Sequence, residues 1–414
     1  MNKAAIRPLK RIASIVLALA LPLCLVHGQT RYLDEMFSAV SMREGVQYGS
    51  NINNTGQTVT LLMDYFQPVG DTITRRPVII FVHGGAFVSG SRTESKVREF
   101  CTRFSRRGYV TSSIDYRLGV TNPFSRSDFI QAGYRATQDA KAAVRYFRRQ
   151  EIADSLHIDT TRIFLGGFSA GSFSALNVAY LDVNELPPEI DTTLLGNIEG
   201  NSGNAGHSSR VLALMNCWGG VLDTFLIDSG DIPMISVHGT SDPVVPYTSG
   251  LSIFAGIYLY GSATITTRLR SLGIRSFLIL MPGVGHGFPS DPAQNTFWTD
   301  TTIVSTAAFF YPCVAPTAAA FGANRLPYEF VLHQNYPNPF NPSTNIGYEL
   351  PTASQVTVVV YNTLGQQVAL LVNEQQQAGY HDVVLRGDGL ASGVYFYRIQ
   401  AGDFVASKKL LLLK

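Results

Sequence analysis

Between about residues 43 and 313 the sequence alternates short apolar runs with stretches whose apolar residues return at helical spacing. The runs fall at 58–65, 78–82, 109–114, 163–165, 211–215, 234–237 and 277–281. Between the third and fourth, Ala136, Ala140, Ala143, Val144 and Phe147 stand at i, i+4, i+7, i+8 and i+11, one apolar face of a helix. Such alternation predicts an α/β chain with a mostly parallel sheet and helices on both faces. Residues 182–209 break the pattern with Pro187-Pro188 and a Gly/Asn/Ser loop at 200–204, which predicts an insertion over the C-terminal edge of the sheet.

At Cys313 the composition changes. An Ala-Pro-Thr-Ala stretch leads to Asn335-Tyr336-Pro337-Asn338-Pro339-Phe340-Asn341-Pro342, a proline density that a central strand does not tolerate. Short β runs follow at 356–361, 367–372, 382–385, 394–399 and 404–413, split by Gly or Asn with no helical period between them. They predict a small all-β sandwich. The 414 residues thus divide into a leader at 1–28, an α/β domain at 29–313, a linker at 314–327 and a β domain at 328–414.

The leader has Lys3, Arg7, Lys10 and Arg11 ahead of the apolar run 15–26 and ends on Val26-His27-Gly28, the pattern of a signal peptide. The run is shorter than the roughly 20 apolar residues a membrane span needs, so no stable membrane insertion is expected. The formal net charge of +2 includes those four cations and no leader anion, leaving −2 on the rest of the chain. A nucleic-acid partner is therefore not expected. Arg103, Arg106, Arg107, Arg145, Arg148 and Arg149 cluster on helix-like stretches and predict a solvated face. No CxxC or His-rich spacing suggests a metal, and the chemistry described next needs no cofactor.

The run 163–165 leads into Gly167-Phe168-Ser169-Ala170-Gly171 and then a helix-like stretch, the strand–turn–helix context of a nucleophile elbow with Ser169 at its tip. His83-Gly84-Gly85-Ala86-Phe87 follows the run 78–82, where glycines let backbone N–H groups turn toward a substrate carbonyl. Gly84, Gly85, Ala86 and Ala170 are the candidate oxyanion-hole residues. A serine hydroxyl needs a base, and the base an orienting acid. Asp242 in His238-Gly239-Thr240-Ser241-Asp242-Pro243 is the candidate acid, and His286 in Gly283-Val284-Gly285-His286-Gly287 the candidate base. His83 and His238 are rival bases, but each stands at a strand end beside its own glycine, which favours a structural role.

These residues resemble the esterase and lipase branch of the α/β-hydrolases, especially bacterial carboxylesterases and the allied feruloyl and acetyl xylan esterases. Asp115-Tyr116-Arg117-Leu118 and the Asp139…Ala143…Arg145 spacing add to the likeness, which covers about 43–313. One departure is Ala86, where the loop often reads Gly-Gly-Gly, so a Cβ narrows the acyl pocket or restricts the loop. The C-terminal part resembles a type IX secretion sorting domain through the 336–342 motif, Leu364-Gly365-Gln366, Gly393-Val394-Tyr395 and the Lys-Lys-Leu-rich terminus. Asn362-Thr363 stands where that family has Asp before Leu-Gly.

The resemblances imply a secreted or surface serine carboxylesterase. It would hydrolyse an ester substrate through an acyl-enzyme, with feruloyl or acetyl polysaccharide esters as one substrate class, and leave the cell by the type IX secretion machinery. A polyester hydrolase, a prolyl-oligopeptidase-like peptidase and a non-enzymatic surface binder remain alternatives. The usual placement of helices in the hydrolase family also implies a Cys101–Cys313 disulfide, with Cys217 a reduced core thiol.

Overall fold

The computed structural model describes residues 29–314 apart from 123, 254 and 255, and residues 330–413 apart from 333, 334, 336, 337 and 378. The expected leader and linker lie outside the described residues, the linker save for its first residue, Val314.

The main sheet has eight strands: β1 (Val40–Ile52), β2 (Thr58–Pro68), β3 (Arg76–Val82), β4 (Val110–Ile114), β5 (Ile158–Phe168), β6 (Leu214–Cys217), β7 (Met234–Gly239) and β8 (Ser276–Met281). Their spatial order is β1-β2-β4-β3-β5-β6-β7-β8. From β4 to β8 all neighbours are parallel, while β1 and β2 add an antiparallel edge. The helices are α1 (Ser95–Ser105), α2 (Arg126–Phe147), α3 (Gln150–Leu156), α4 (Ala170–Tyr180), α5 (Thr192–Leu195), α6 (Ser262–Ser271) and α7 (Pro292–Val314).

Strand periodicity distributes the core to both faces. On β3, Val78, Ile80 and Val82 join the cluster built with α2 and α4, while Ile79 and Phe81 join the cluster built with α1 and α7. All five are fully buried. Each such side chain contributes about 1.5–3 kcal/mol by leaving water. This sheet, covered by helices on both faces, is an α/β-hydrolase fold.

Two expectations need correction. Cys101, Cys217 and Cys313 are free thiols, so Cys101 and Cys313 form no disulfide. Although α1 and α7 share a face of the sheet, Cys101 turns inward beside Thr111 and Cys313 sits beside Arg275. The arginine clusters are a solvated face only in part, since Arg106 and Arg149 stay well exposed while others turn inward. Arg107 and Arg145 are 4% and 3% exposed, pairing with Glu35 and Glu199, and Arg148 donates to the Ser208 and Arg210 carbonyls. They tie helices to distant loops. Residues 195–203 run along α2 to β1, held by Gln138, Lys141 and Arg145 and by Ser50 N–H on Ser202 O.

Just before β7, Asp231 is half-buried near Asp182, Asp228 and Glu185. Burial and those like charges, against a hydrogen bond from the Asp228 N–H, push its pKa from 3.8 up to about 6. The folded chain holds this proton more tightly than the unfolded chain. Stability therefore falls as pH rises from about 4 to about 6, and the loss persists at neutral pH. Asp231→Asn keeps an acceptor for the Asp228 N–H, now at 2.7 Å. It is expected to gain about 1 kcal/mol at pH 7, allowing for solvent screening, and nothing at pH 4. Urea denaturation at the two pH values checks this.

The C-terminal strands are β9 (Val331–Leu332), β10 (Ser343–Leu350), β11 (Ser354–Tyr361), β12 (Gln367–Gln376), β13 (Gly379–Arg386), β14 (Gly393–Ala401) and β15 (Phe404–Leu412). They form the sheets β9-β10-β13 and β12-β11-β14-β15, which enclose their own core around Ile346, Val358, Tyr397 and Leu410. This unit packs against the outer edge of β8. Asn345 Nδ2 donates to Leu278 O at 3.1 Å, and Arg270 pairs with Asp382.

Candidate active site

The candidate serine, acid, base and oxyanion loop follow β5, β7, β8 and β3. All four therefore meet at the C-terminal ends of parallel strands, where open α/β sheets place their sites. Ser169 has φ 52° and ψ −117° at the turn into α4. Such left-handed backbone costs a residue with a side chain about 1–3 kcal/mol and persists only where its surroundings enforce it. The enforcement is visible. The Ser169 N–H donates to Cys217 O at 2.9 Å, and the Ser172 hydroxyl bridges to Gly167 O at 2.5 Å while accepting the Cys217 N–H at 3.0 Å. A Cβ on Gly171 would stand 2.2 Å from Val82 O, and one on Gly167 would stand 2.4 Å from Gly171 O. Only glycine lets the elbow close this tightly.

Ser169 Oγ lies 2.8 Å from His286 Nε2, and His286 Nδ1 lies 2.8 Å from Asp242 Oδ2. A carboxylate on Nδ1 assigns the proton there and leaves Nε2 to accept from the serine hydroxyl. The loops carrying acid and base are strapped together. The Thr240 and Ser241 N–H groups donate to Met281 O and Val284 O, each at 3.0 Å, and the Gly283 N–H donates to Thr240 Oγ1 at 2.9 Å. Burial alone would raise the pKa of Asp242. Hydrogen bonds from His238 and His286, the charge of His286 and the Val245 N–H outweigh it, holding the carboxyl well below the usual carboxylate range. Asp242 is therefore an anion throughout mildly acid and neutral pH.

The loop after β3 has three successive positive φ values, 104° at Gly85, 52° at Ala86 and 60° at Phe87. Ala86 thus holds left-handed backbone while bearing a Cβ. Tyr116 braces the loop from below, its hydroxyl 3.0 Å from Gly84 O and 3.2 Å from His83 O and its ring stacked on His83 at 4.3 Å. His83 Nδ1 lies 2.7 Å from Gly84 O, and burial lowers its pKa, so this histidine is a neutral prop. Among the described residues, the N–H groups of Gly85, Ala86 and Ala170 donate to no backbone acceptor. Gly84, Gly85 and Ala86, with Phe168, Ser169, Trp218 and His286, help to line a cleft of about 630 Å³.

Of the aromatic residues that flank these motifs, Phe87 is fully buried and Phe168 nearly so. Trp218, which lines the cleft, packs edge-on against Phe288 at 4.8 Å and lies 6.4 Å from the His286 ring. Its φ of 44° is a further strained backbone position at the site. Arg117 and Asp139 of the two accessory motifs are a buried ion pair, at 2.8 Å, that ties the loop after β4 to α2. His238 does not reach Ser169; its ring nitrogens lie against Ser262, Val245 and Asp242.

Residues 63–221 match the BD-FAE family model, an α/β-hydrolase esterase family, and residues 334–413 match the model of the secretion system C-terminal sorting domain. Gut esterase 1 of Caenorhabditis briggsae is 32% identical over 98 residues, 24% of this chain and 17% of that protein. Probable carboxylesterase 6 of Arabidopsis thaliana is 31% identical over 129 residues, 30% of this chain and 36% of that protein. The chain thus spans well under half the length of these relatives. A solved esterase from Thermogutta terrifontis superposes with a TM-score of 0.48 at 24% identity, covering 70% of this chain and 98% of that one.

Proposed function

We propose that this protein is an exported serine carboxylic-ester hydrolase in which Ser169 attacks the ester carbonyl, His286 takes and returns the proton, and Asp242 orients His286. The observation that carries this reading is the unbroken chain of 2.8 Å contacts from Ser169 through His286 to Asp242, opening on the cleft. Attack forms a bond from Oγ to the acyl carbon as the hydroxyl proton passes to His286 Nε2. Collapse of the tetrahedral oxyanion expels the alcohol, which takes that proton. Water repeats the sequence to release the acid. The N–H groups of Gly85, Ala86 and Ala170, on the loop that Gly84 begins, hold the oxyanion.

Feruloyl or acetyl esters of polysaccharide are the substrate class we assign. Phe168 and Trp218, the aromatic rings that line the cleft, support an aromatic acyl group, and the expected export supports an extracellular polymer. Wild-type protein should hydrolyse p-nitrophenyl acetate and methyl ferulate but no peptide amide. Ser169→Ala should lose about a thousandfold or more in kcat/KM on both esters. Cleavage of peptide amides instead would favour a peptidase.

Export rests on the leader and on the tail, which we assign to the type IX secretion machinery. A chain ending at Val314 should keep its activity on soluble esters within about twofold, because among the described residues the tail bonds to Leu278 on β8 and to Arg270 on α6, neither of them a candidate site residue. In a host with that machinery the truncated chain should stay in the periplasm while the full chain leaves the cell. Cell fractionation with an activity assay reads both outcomes.

A further inference from the structure

Behind the site the structure shows a buried polar chain that the reaction as proposed does not use. Asn216 Nδ2 donates to Ser262 Oγ at 3.1 Å, and Ser262 Oγ lies 2.7 Å from His238 Nδ1. On the other side of the ring, His238 Nε2 lies 3.0 Å from Val245 O and 3.2 Å from Asp242 Oδ2. Asn216, Ser262 and His238 are all fully buried. The chemistry of these neighbours fixes the tautomer. Nε2 faces two groups that only accept, so it carries the proton; Ser262, already accepting from Asn216, gives its own proton to Nδ1.

Asp242 is thereby surrounded. Oδ1 accepts the Val244 and Val245 N–H groups at 2.8 and 3.0 Å, and Oδ2 accepts His286 Nδ1 at 2.8 Å together with a share of the His238 proton. The four donors match the four lone-pair sites of a carboxylate. They hold its plane in the one orientation that points Oδ2 at His286. We infer that His238 is a positioning residue of the reaction: the tautomer locked by Ser262 and Asn216 donates to Asp242 and fixes the carboxylate that orients His286. This role rests on the proposed triad but is separable from it. The ring nitrogens of His238 do not reach Ser169, and His238 is not among the residues that line the cleft.

The test is a double-mutant cycle on an activated ester, reading kcat and KM separately. A hydrogen bond to a charged group is worth roughly ten- to hundredfold. His238→Leu, which fills the space without a donor, should therefore lower kcat by about that factor while KM stays within about threefold. His238→Gln, whose amide nitrogen can occupy the place of Nε2, should recover kcat to within about threefold of wild type. In an Asp242→Asn background, His238→Leu should change kcat by less than about twofold, since the group it positions is gone.

A folded His238→Leu with wild-type kcat, an equal loss in the Asp242→Asn background, or a glutamine variant no better than leucine would overturn the inference. Should the leucine variant not fold, Ser262→Ala removes only the hydroxyl that sets the tautomer. A several-fold fall in kcat at constant KM then supports the role, and an unchanged kcat overturns it. An active Ser169→Ala would sink the serine-hydrolase reading itself. An inactive Ser169→Ala beside a fully active His238→Leu would sink only the positioning role.

Discussion

His286→Ala is expected to lower kcat on an activated ester by about 10⁴-fold or more, with little change in KM or thermal stability. The ring is the sole link between Ser169 and Asp242 among the described residues, with both its nitrogens engaged at 2.8 Å. Without it the hydroxyl must lose its proton to water, and the buried Asp242 anion no longer stabilises an imidazolium. The side chain of His286 is only partly buried, so its removal leaves no large cavity in the core. Combining His286→Ala with Ser169→Ala should cost scarcely more than either change alone, because the residues act as one unit. Steady-state kinetics on the two single variants and the double variant, with melting curves as the fold control, check this.

Gly171→Ala is expected to have the other large effect, reached through structure. One methyl group would stand 2.2 Å from Val82 O and 2.4 Å from His83 O, both backbone atoms of the strand end that carries the candidate oxyanion loop. Neither can swing aside as a side chain would. The start of α4 must move, and the strained Ser169 conformation and the loop after β3 move with it. Overpacking of a rigid interior costs about 1–3 kcal/mol or more, and a displacement of about 1 Å at the nucleophile can cost a hundredfold in rate. The variant should melt lower and lose at least about a hundredfold in kcat/KM. Gly56→Ala, at a turn with nothing within 4 Å, serves as a comparison in which only the positive φ of 81° is strained. Its activity should remain at the wild-type level.

The site was legible where short motifs coincide with strand ends. Gly167 to Gly171, the His83 loop, Asp242 and His286 each follow an apolar run, and the parallel sheet brings those ends together. The buried strands of the sheet were legible for the same reason, since their runs are apolar on both faces. β1 was not, because most of Val40–Ile52 is exposed and polar and is held by its ladder to β2, which leaves little trace in hydropathy. In the β domain, β10 was missed although Ile346, Tyr348 and Leu350 alternate along it, because it follows directly on the proline-rich stretch 336–342. The arginine clusters misled because composition cannot reveal a partner such as Glu199, 54 residues from Arg145 along the chain. His238 is the same case. Its position beside a glycine suggests a structural role, but the contacts that give it a place behind Asp242 come from Ser262, on another element.

The account stands or falls on where a covalent adduct forms. Treating the full chain with a fluorophosphonate, which needs an activated serine to displace its leaving group, and mapping the modified peptide by mass spectrometry tests it most directly. The expected result is one adduct per chain, on Ser169, with loss of ester hydrolysis in proportion to labelling and little labelling of His286→Ala. An adduct on another residue, or full hydrolysis persisting in protein stoichiometrically labelled at Ser169, would contradict it.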